Sequence, residues 1–394
     1  MTPEGAEMVV AGAGPAGLVA AHAFARMGVP SLVLERRPND EGVGAGDARR
    51  IVLAERARRL LETLGLWKAV APHAAPVRQV VVRAPRLGSP LVLDAAEHGL
   101  EALGWSLAYG ALVRALRESV AATPRVALRF GCRLLAAHED GQALALRVGG
   151  LEGEEILGAE LLLVAEGAEA DLTALGWSRV PVHDVRDEAW ILPCRTRGLE
   201  SGVAVESFLG GGTATLLATG ADRAVVTLVR PKTRARRESS LPVEERLARL
   251  AAGFGLEPGA LEPEGEAVTI RVRRGFHPRP TAPRRLAIGP TFHALHPFAA
   301  QGLLLSWRDA VLAARFLGGR RARSLGWTEE TVLTAFVRSR LREHRALDAF
   351  VHRLPPLLSG PGAEFGAPLW RLCSLAPLRV RLGYWGMGYG WGRT

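Results

Sequence analysis

The chain has 394 residues, 48% of them hydrophobic, and carries 50 Lys and Arg against 40 Asp and Glu, a formal charge of +10. That length buries a large core and predicts two domains, and no run of about 18 apolar residues exists to cross a bilayer. The arginines that supply almost all of the positive charge are scattered and not interleaved with aromatics, which argues against nucleic acid as a partner.

Three dispersed cysteines, Cys132, Cys194 and Cys373, offer neither a metal spacing nor a redox pair. They suit a reducing compartment, and no basic start followed by an apolar core marks a secretion signal. A cytoplasmic protein is therefore expected.

Met8 to Ala11 reads as a buried strand that enters the turn Gly12-Ala13-Gly14-Pro15-Ala16-Gly17. An alanine-rich helix is expected from Leu18 to Met27, then a second strand from Ser31 to Glu35. Strand, turn, helix and strand in that order give the glycine pattern its meaning. Gly12 allows a tight turn, Gly14 lets a pyrophosphate approach the backbone, and Gly17 lets the helix pack close to the sheet. The phosphates would rest on the unpaired N–H groups of the helix N-terminus. Glu35 lies 18 residues after Gly17, near the usual distance for a carboxylate that binds an adenosine ribose. Dinucleotide binding is expected here, against the plainer reading of a glycine turn in an ordinary sheet.

A glycine-rich loop from Gly42 to Gly46 leads to Asp47-Ala48-Arg49 and a helix over Glu55–Leu64 that Gly65 stops. Residues 77–82 and 91–93 read as short strands of a second sheet. Leu107, Leu112, Val113, Leu116 and Val120 predict an amphipathic helix over 106–120. Strands at 126–130, 133–138, 144–148 and 155–156 predict an antiparallel meander. Leu161 to Ala165 reads as a strand covered on both faces, ending at Glu166-Gly167-Ala168. Between 182 and 272, strands at 189–193, 203–209, 213–218 and 224–229 and a helix over 243–254 predict an antiparallel layer for substrate. A short strand at 286–289 precedes helices over 302–317 and 328–351, the second with its i,i+4 charges on the outer face. His183, Asp184 and Glu206 read as ordinary surface or sheet residues.

The expected class is α/β with α+β character. A Rossmann-like nucleotide domain is assigned to 1–75, 104–180 and 274–350, a β-sheet substrate domain to 76–103 and 181–273, and C-terminal helices with a basic aromatic tail to 351–394. The tail carries Trp370, Arg371, Arg379, Arg381, Tyr384, Trp385, Tyr389 and Trp391. It suits a membrane surface or a biosynthetic complex, and equally packing on its own domain.

Together these pieces resemble the single-component FAD-dependent aromatic hydroxylases, most of all the ubiquinone-biosynthesis branch. Four places carry the likeness: Gly12 to Gly17 with Glu35; Asp47-Ala48-Arg49 ahead of the stretch ending at Trp67; Ala165-Glu166-Gly167-Ala168; and Gly289 through His293, His296, Pro297, Gln301, Gly302, Arg308 and Asp309. The resemblance implies bound FAD, NADH or NADPH as transient reductant, and molecular oxygen and a small apolar or prenylated aromatic ring as substrates, joined through a flavin hydroperoxide. No metal is implied. It assigns the diphosphate to Gly12, Gly14, Pro15, Ala16 and Gly17, the ribose to Glu35 with Arg36, and the pyrophosphate region to Arg49. Glu166 and Gly289 fall near the flavin, and Pro297, Gln301 and Gly302 against its ring. The helix that follows aims its N-terminus at the flavin pyrimidine, where reduced flavin is negative. His293 and His296 flank that segment as candidates for proton transfer, with a structural hydrogen bond the other reading of each.

The chain departs from the family pattern at four positions. Pro290 replaces an aspartate, Glu166 is one methylene longer than the usual residue, Ala300 stands where glycine precedes Gln301, and Phe292 is bulkier than the usual alanine. Proline supplies neither carboxylate nor N–H. Two other readings stay open: a lipid-binding or scaffold protein that keeps the fold without flavin chemistry, and a flavin-dependent isoprenoid reductase. Asp47-Ala48-Arg49 and Gln301-Gly302 favour hydroxylation over the reductase.

Overall fold

The computed structural model describes residues 7–38, 49–151, 153–168, 170–177, 184–210, 212–360 and 363–390. The Gly42 to Gly46 loop, Asp47-Ala48, His183 and Trp391 lie outside them.

β1 (Met8–Ala11) is buried at every residue and sits inside a six-stranded sheet. A strand with no polar face must be covered on both sides. β1 pairs in parallel with β2 (Ser31–Glu35), and β2 pairs in parallel with β3 (Val126–Phe130). On its other side β1 meets β4 (Leu161–Val164), also buried throughout, with Met8 opposite Leu161 and Ala11 opposite Val164. The Arg285–Ala287 strand extends the sheet beyond β4. β3 thus belongs to the parallel sheet, where the sequence pattern placed it in a meander. The meander consists of Arg133–Asp140, Ala143–Gly150 and Gly153–Ala159 alone.

α1 (Pro15–Arg26) begins three residues earlier than expected, because proline suits the first helical position after an extended Gly14. The helix expected from Ser106 begins at Tyr109. Gly104–Ala108 is instead a strand paired with Arg50–Ala54, so pairing to a distant partner overrides the helical spacing. The Glu55–Leu64 helix ends where expected, with Gly65 left-handed at φ +80°.

The second sheet gathers Asp184–Thr196, β5 (Val203–Leu209), Gly212–Ala218, Arg223–Pro231 and Val268–Phe276 in antiparallel pairs. Gln79–Arg83 joins β5 in parallel and carries Leu91–Asp94 beside it. One face buries Val205, Leu192 and Leu216 under the Val243–Phe254 helix. On the opposite face Phe208 packs with Phe298, Val351 and Trp370.

α2 (Gln301–Ala313) and α3 (Glu330–Ser359) complete the nucleotide side. α3 runs on through Pro355 and Pro356, past the expected end at Val351. Arg340, Glu343 and His344 are buried, so charges expected on its outer face point inward to α2. α4 (Ala376–Gly386) lies against the body of the chain. Arg379 pairs with Glu97, His98 Nε2 lies 2.9 Å from the Val380 carbonyl oxygen, and Arg56 donates to the Gly388 carbonyl oxygen at 2.7 Å. Among the described residues no helix is long and apolar enough to cross a membrane.

Candidate cofactor site

The site is built on a backbone contact at the end of β1. Gly12 is left-handed at φ +104°, and a Cβ there would lie 2.6 Å from the Ala165 carbonyl oxygen and 3.2 Å from Glu166 Cα. Only glycine permits that approach of the segment after β4. A Cβ on Gly17 would overlap the Gly12 carbonyl oxygen, so the start of α1 closes on the same turn. Gly14 is different: a Cβ there would meet nothing within 4 Å. No side chain caps α1, and its first-turn N–H groups form an anion-favouring end beside this open glycine.

Glu35 ends β2 at this turn. Its Oε2 accepts from the Ala13 N–H at 3.0 Å and its Oε1 from the Arg37 N–H at 3.1 Å. Arg117 stands 3.8 Å from Oε2. Arg36 is exposed just beyond, and the Arg49 guanidinium lies over the Tyr109 ring at 4.1 Å. An open glycine, an uncapped helix start and an accepting carboxylate fit the diphosphate and ribose of an adenine dinucleotide.

Glu166 follows β4 at the same place. Burial raises its pKa, while Arg36 and Arg133 pull it down and Glu35 adds to the rise. Gly167 donates its N–H to Thr291 Oγ1 at 3.0 Å, and the Thr291 hydroxyl returns a bond to the Gly167 carbonyl oxygen at 3.1 Å. Thr291 was not legible as a site residue, since its partner is 124 residues away. Gly289 is left-handed at φ +61°, with room only for hydrogen where a Cβ would lie 2.8 Å from Ala16 Cβ. Pro290 is exposed between them and brings no carboxylate.

α2 is pinned to this turn by the buried Trp307, whose Nε1 donates to the Pro15 carbonyl oxygen at 3.0 Å. Pro297 is exposed at the start of the approach to α2. Ala299 and Ala300 are left-handed at φ +61° and +53°, a conformation that glycine adopts without cost. Gln301 is buried. Its Nε2 donates to the Ala299 and Gly386 carbonyl oxygens at 2.8 Å each, and its Oε1 is sealed without a partner. Gly302 repeats the pattern of Gly14: nothing lies within 4 Å of a Cβ, and no side chain caps the helix.

The two candidate histidines are held elsewhere. His293 Nδ1 lies 2.9 Å from His344 Nδ1, and its Nε2 lies 3.3 Å from Asp348 Oδ1. His344 in turn reaches Asp309 at 2.9 Å. His296 Nδ1 accepts the Phe298 N–H at 3.1 Å. Burial pushes the His296 pKa down to about 3, helped by His352 and Arg274, and burial also lowers that of His293. Burial favours the neutral form of both rings, and each makes hydrogen bonds within the chain, as the structural one of the two readings expects. Phe292 is buried with its ring 4.5 Å from that of His344 and so faces α3.

Glu206 on β5 also overturns its reading as an ordinary sheet residue. Its Oε2 accepts from the Thr215 hydroxyl at 2.6 Å, while Oε1 is sealed from solvent with no partner. Burial pushes its pKa up to about 7. α3 packs on β5 and on the neighbouring Gly212–Ala218 strand.

A family model described as FAD binding domain matches residues 5–348. The chain belongs to the FAD binding domain family. It is 26% identical over 319 residues to the ubiquinone hydroxylase of Rhodospirillum rubrum, covering 80% of this chain and 73% of that one. It is 24% identical over 368 residues to the 3-demethoxyubiquinol 3-hydroxylase of Escherichia coli, covering 91% and 93%. Anhydrotetracycline hydroxylase from Streptomyces rimosus shares the fold at a TM-score of 0.73 and 20% identity, over 97% of this chain and 75% of that one.

Two outcomes follow for this FAD-binding chain. Gly14→Val places a side chain in open space, so its Tm stays near that of the parent while retained FAD, read from visible absorbance, falls to background. Because the Glu206 pKa rises from 4.5 to about 7 on folding, stability is full below 4.5 and is lost as pH climbs to about 7. Glu206→Gln removes that loss, about 3 kcal/mol, and gains Tm over the parent at pH 8 but not at pH 4.

Proposed function

We propose that the chain is an FAD-dependent monooxygenase that hydroxylates an apolar aromatic ring, with NADH or NADPH as reductant and molecular oxygen as co-substrate. One observation carries the reading. Two uncapped helix starts, each open at a glycine, are fixed relative to each other by the bond from Trp307 to Pro15. Such a pair serves a ligand with a diphosphate at one end and a ring that becomes negative at the other.

Reduced FAD supplies the activation of oxygen, as the cofactor's own chemistry. The chain's part is to hold and to exclude. The start of α1 binds the diphosphate and Glu35 accepts from the ribose. The start of α2 favours negative charge on the ring. Phe208, Phe298 and Phe350 pack at centroid distances of 5.3 and 5.6 Å beside that helix and keep water away. The same aromatic layer suits a ring with a hydrocarbon tail.

Purified protein supplied with FAD is expected to turn yellow and to consume NADH or NADPH faster when an alkylphenol is added, giving a product heavier by one oxygen atom. A colourless protein that takes up no FAD contradicts the proposal and leaves the scaffold reading.

The proposal extends to a location at an anionic membrane surface. Leu372, Leu375 and Leu378 are exposed on and between the last two helices, next to the exposed Arg371 and Arg381. Apolar side chains beside arginine match the interface of acidic lipids. Co-sedimentation with vesicles containing phosphatidylglycerol is expected, and Leu375→Glu is expected to reduce it. Equal sedimentation of parent and variant, or none by the parent, contradicts a lipid-facing surface.

A further inference from the structure

We propose that the end of the C-terminal tail, Gly386 to Tyr389, is a strut of the flavin-ring seat, with Met387 and Gly388 as positioning residues for the flavin. This rests on the FAD-dependent monooxygenase reading and gives a part in that same site to a segment outside the nucleotide-binding units.

The approach to the seat is strained. Ala299 and Ala300 are both left-handed, at φ +61° and +53°. Residues with a Cβ stay in that region only where their surroundings hold them there. Gln301 supplies the hold. Its Nε2 carries two hydrogens, and both are committed. One goes to the Ala299 carbonyl oxygen within the strained pair, the other to the Gly386 carbonyl oxygen in the tail, at 2.8 Å each. The amide therefore ties the turn to a segment 85 residues further on.

The tail is anchored to bear that tie. Met387 is buried beside Ala95 and Leu103. Arg56 donates its backbone N–H to the Met387 carbonyl oxygen at 3.4 Å and its guanidinium to the Gly388 carbonyl oxygen at 2.7 Å. The Tyr389 ring lies 5.8 Å from the Arg56 guanidinium and 5.7 Å from that of Arg59. Gly388 is left-handed at φ +91°, and a Cβ there would overlap Leu304 in the first turn of α2 and stand 3.4 Å from Gln301 Oε1. Glycine is what lets the tail reach that turn.

Release of the tail leaves a buried Gln301 N–H without an acceptor and the left-handed pair without its brace. The approach then relaxes, and the start of α2 shifts from the place where it favours a negative ring.

Met387→Ala and Gly388→Val alter the tail alone. In each, FAD is expected to bind about tenfold more weakly, read from flavin fluorescence on titration. The midpoint potential of the bound flavin is expected to fall, because a displaced helix start stabilises the reduced ring less. Gln301→Met is expected to reproduce both changes. Glycine at 299 and 300 needs no brace. In a protein carrying Ala299→Gly and Ala300→Gly, Met387→Ala is therefore expected to cost less than about twofold in FAD affinity. Should the crowded Gly388→Val protein fail to fold, Met387→Ala, which only removes atoms, decides alone. A tail that merely stabilises the fold lowers Tm, leaves the potential unmoved and costs the same affinity in both backgrounds. Either an unmoved potential or an equal cost overturns the strut and leaves the monooxygenase reading in place. Failure of the parent itself to take up FAD overturns that reading, and the strut with it.

Discussion

The structure depends on a contact between backbones that leaves no space for a side chain. Gly12 faces the Ala165 carbonyl oxygen, and Gly17 closes on the Gly12 carbonyl oxygen. This double approach locks the end of β1, the end of β4 and the start of α1 into one turn. Gly289 brings the late strand to Ala16 on the same helix, and Trp307 ties α2 to Pro15. Four segments far apart in sequence therefore meet within one helical turn. The exposed edge of that meeting point is Gly14, the glycine with nothing opposite it. Steric exclusion around the turn and open space above it are two results of the same packing.

The position of α2 has a second support. Its Arg308 and Asp309 are buried against Glu343, Arg340 and His344 of α3. Buried ion pairs add little net stability over apolar packing, yet breaking one costs about 3–5 kcal/mol. A one-turn slip of α3 along α2 would leave several of these groups unpaired, so the network fixes a single alignment. That alignment carries through to the other end of α2, where Gln301 and Gly302 lie. His293 belongs to this network through His344, which is why its ring is a structural element of the helix pair.

Much of this was readable in the sequence where the determinants are local. The Met8 to Glu35 unit is set by an apolar run, three glycines and a terminal acid, and the Glu55–Leu64 helix by its spacing and Gly65. What escaped depends on partners far away in the chain. Residues 106–108 read as the start of a helix, yet they belong to the strand Gly104–Ala108 that pairs with Arg50–Ala54. The charged face of α3 looks solvated until α2 lies on it. Glu206 obeys strand alternation, and its face is covered where α3 packs on β5. The tail's aromatic and basic composition left two readings open, and Gly386 and Gly388 accept hydrogen bonds from Gln301 and Arg56 in the body of the chain. Pro290 was legible as a lost carboxylate, yet its neighbour Thr291 takes a structural part that no local pattern announces.

The central claim is that the open edge at Gly14 and the start of α1 hold the diphosphate of FAD. A crystal structure of the protein purified with FAD tests this most directly. The account predicts phosphate oxygens within hydrogen-bonding distance of the Ala16 and Gly17 N–H groups, with the flavin ring beside Gly302. Flavin density elsewhere, or a diphosphate displaced from that helix by side chains of the chain itself, would contradict it.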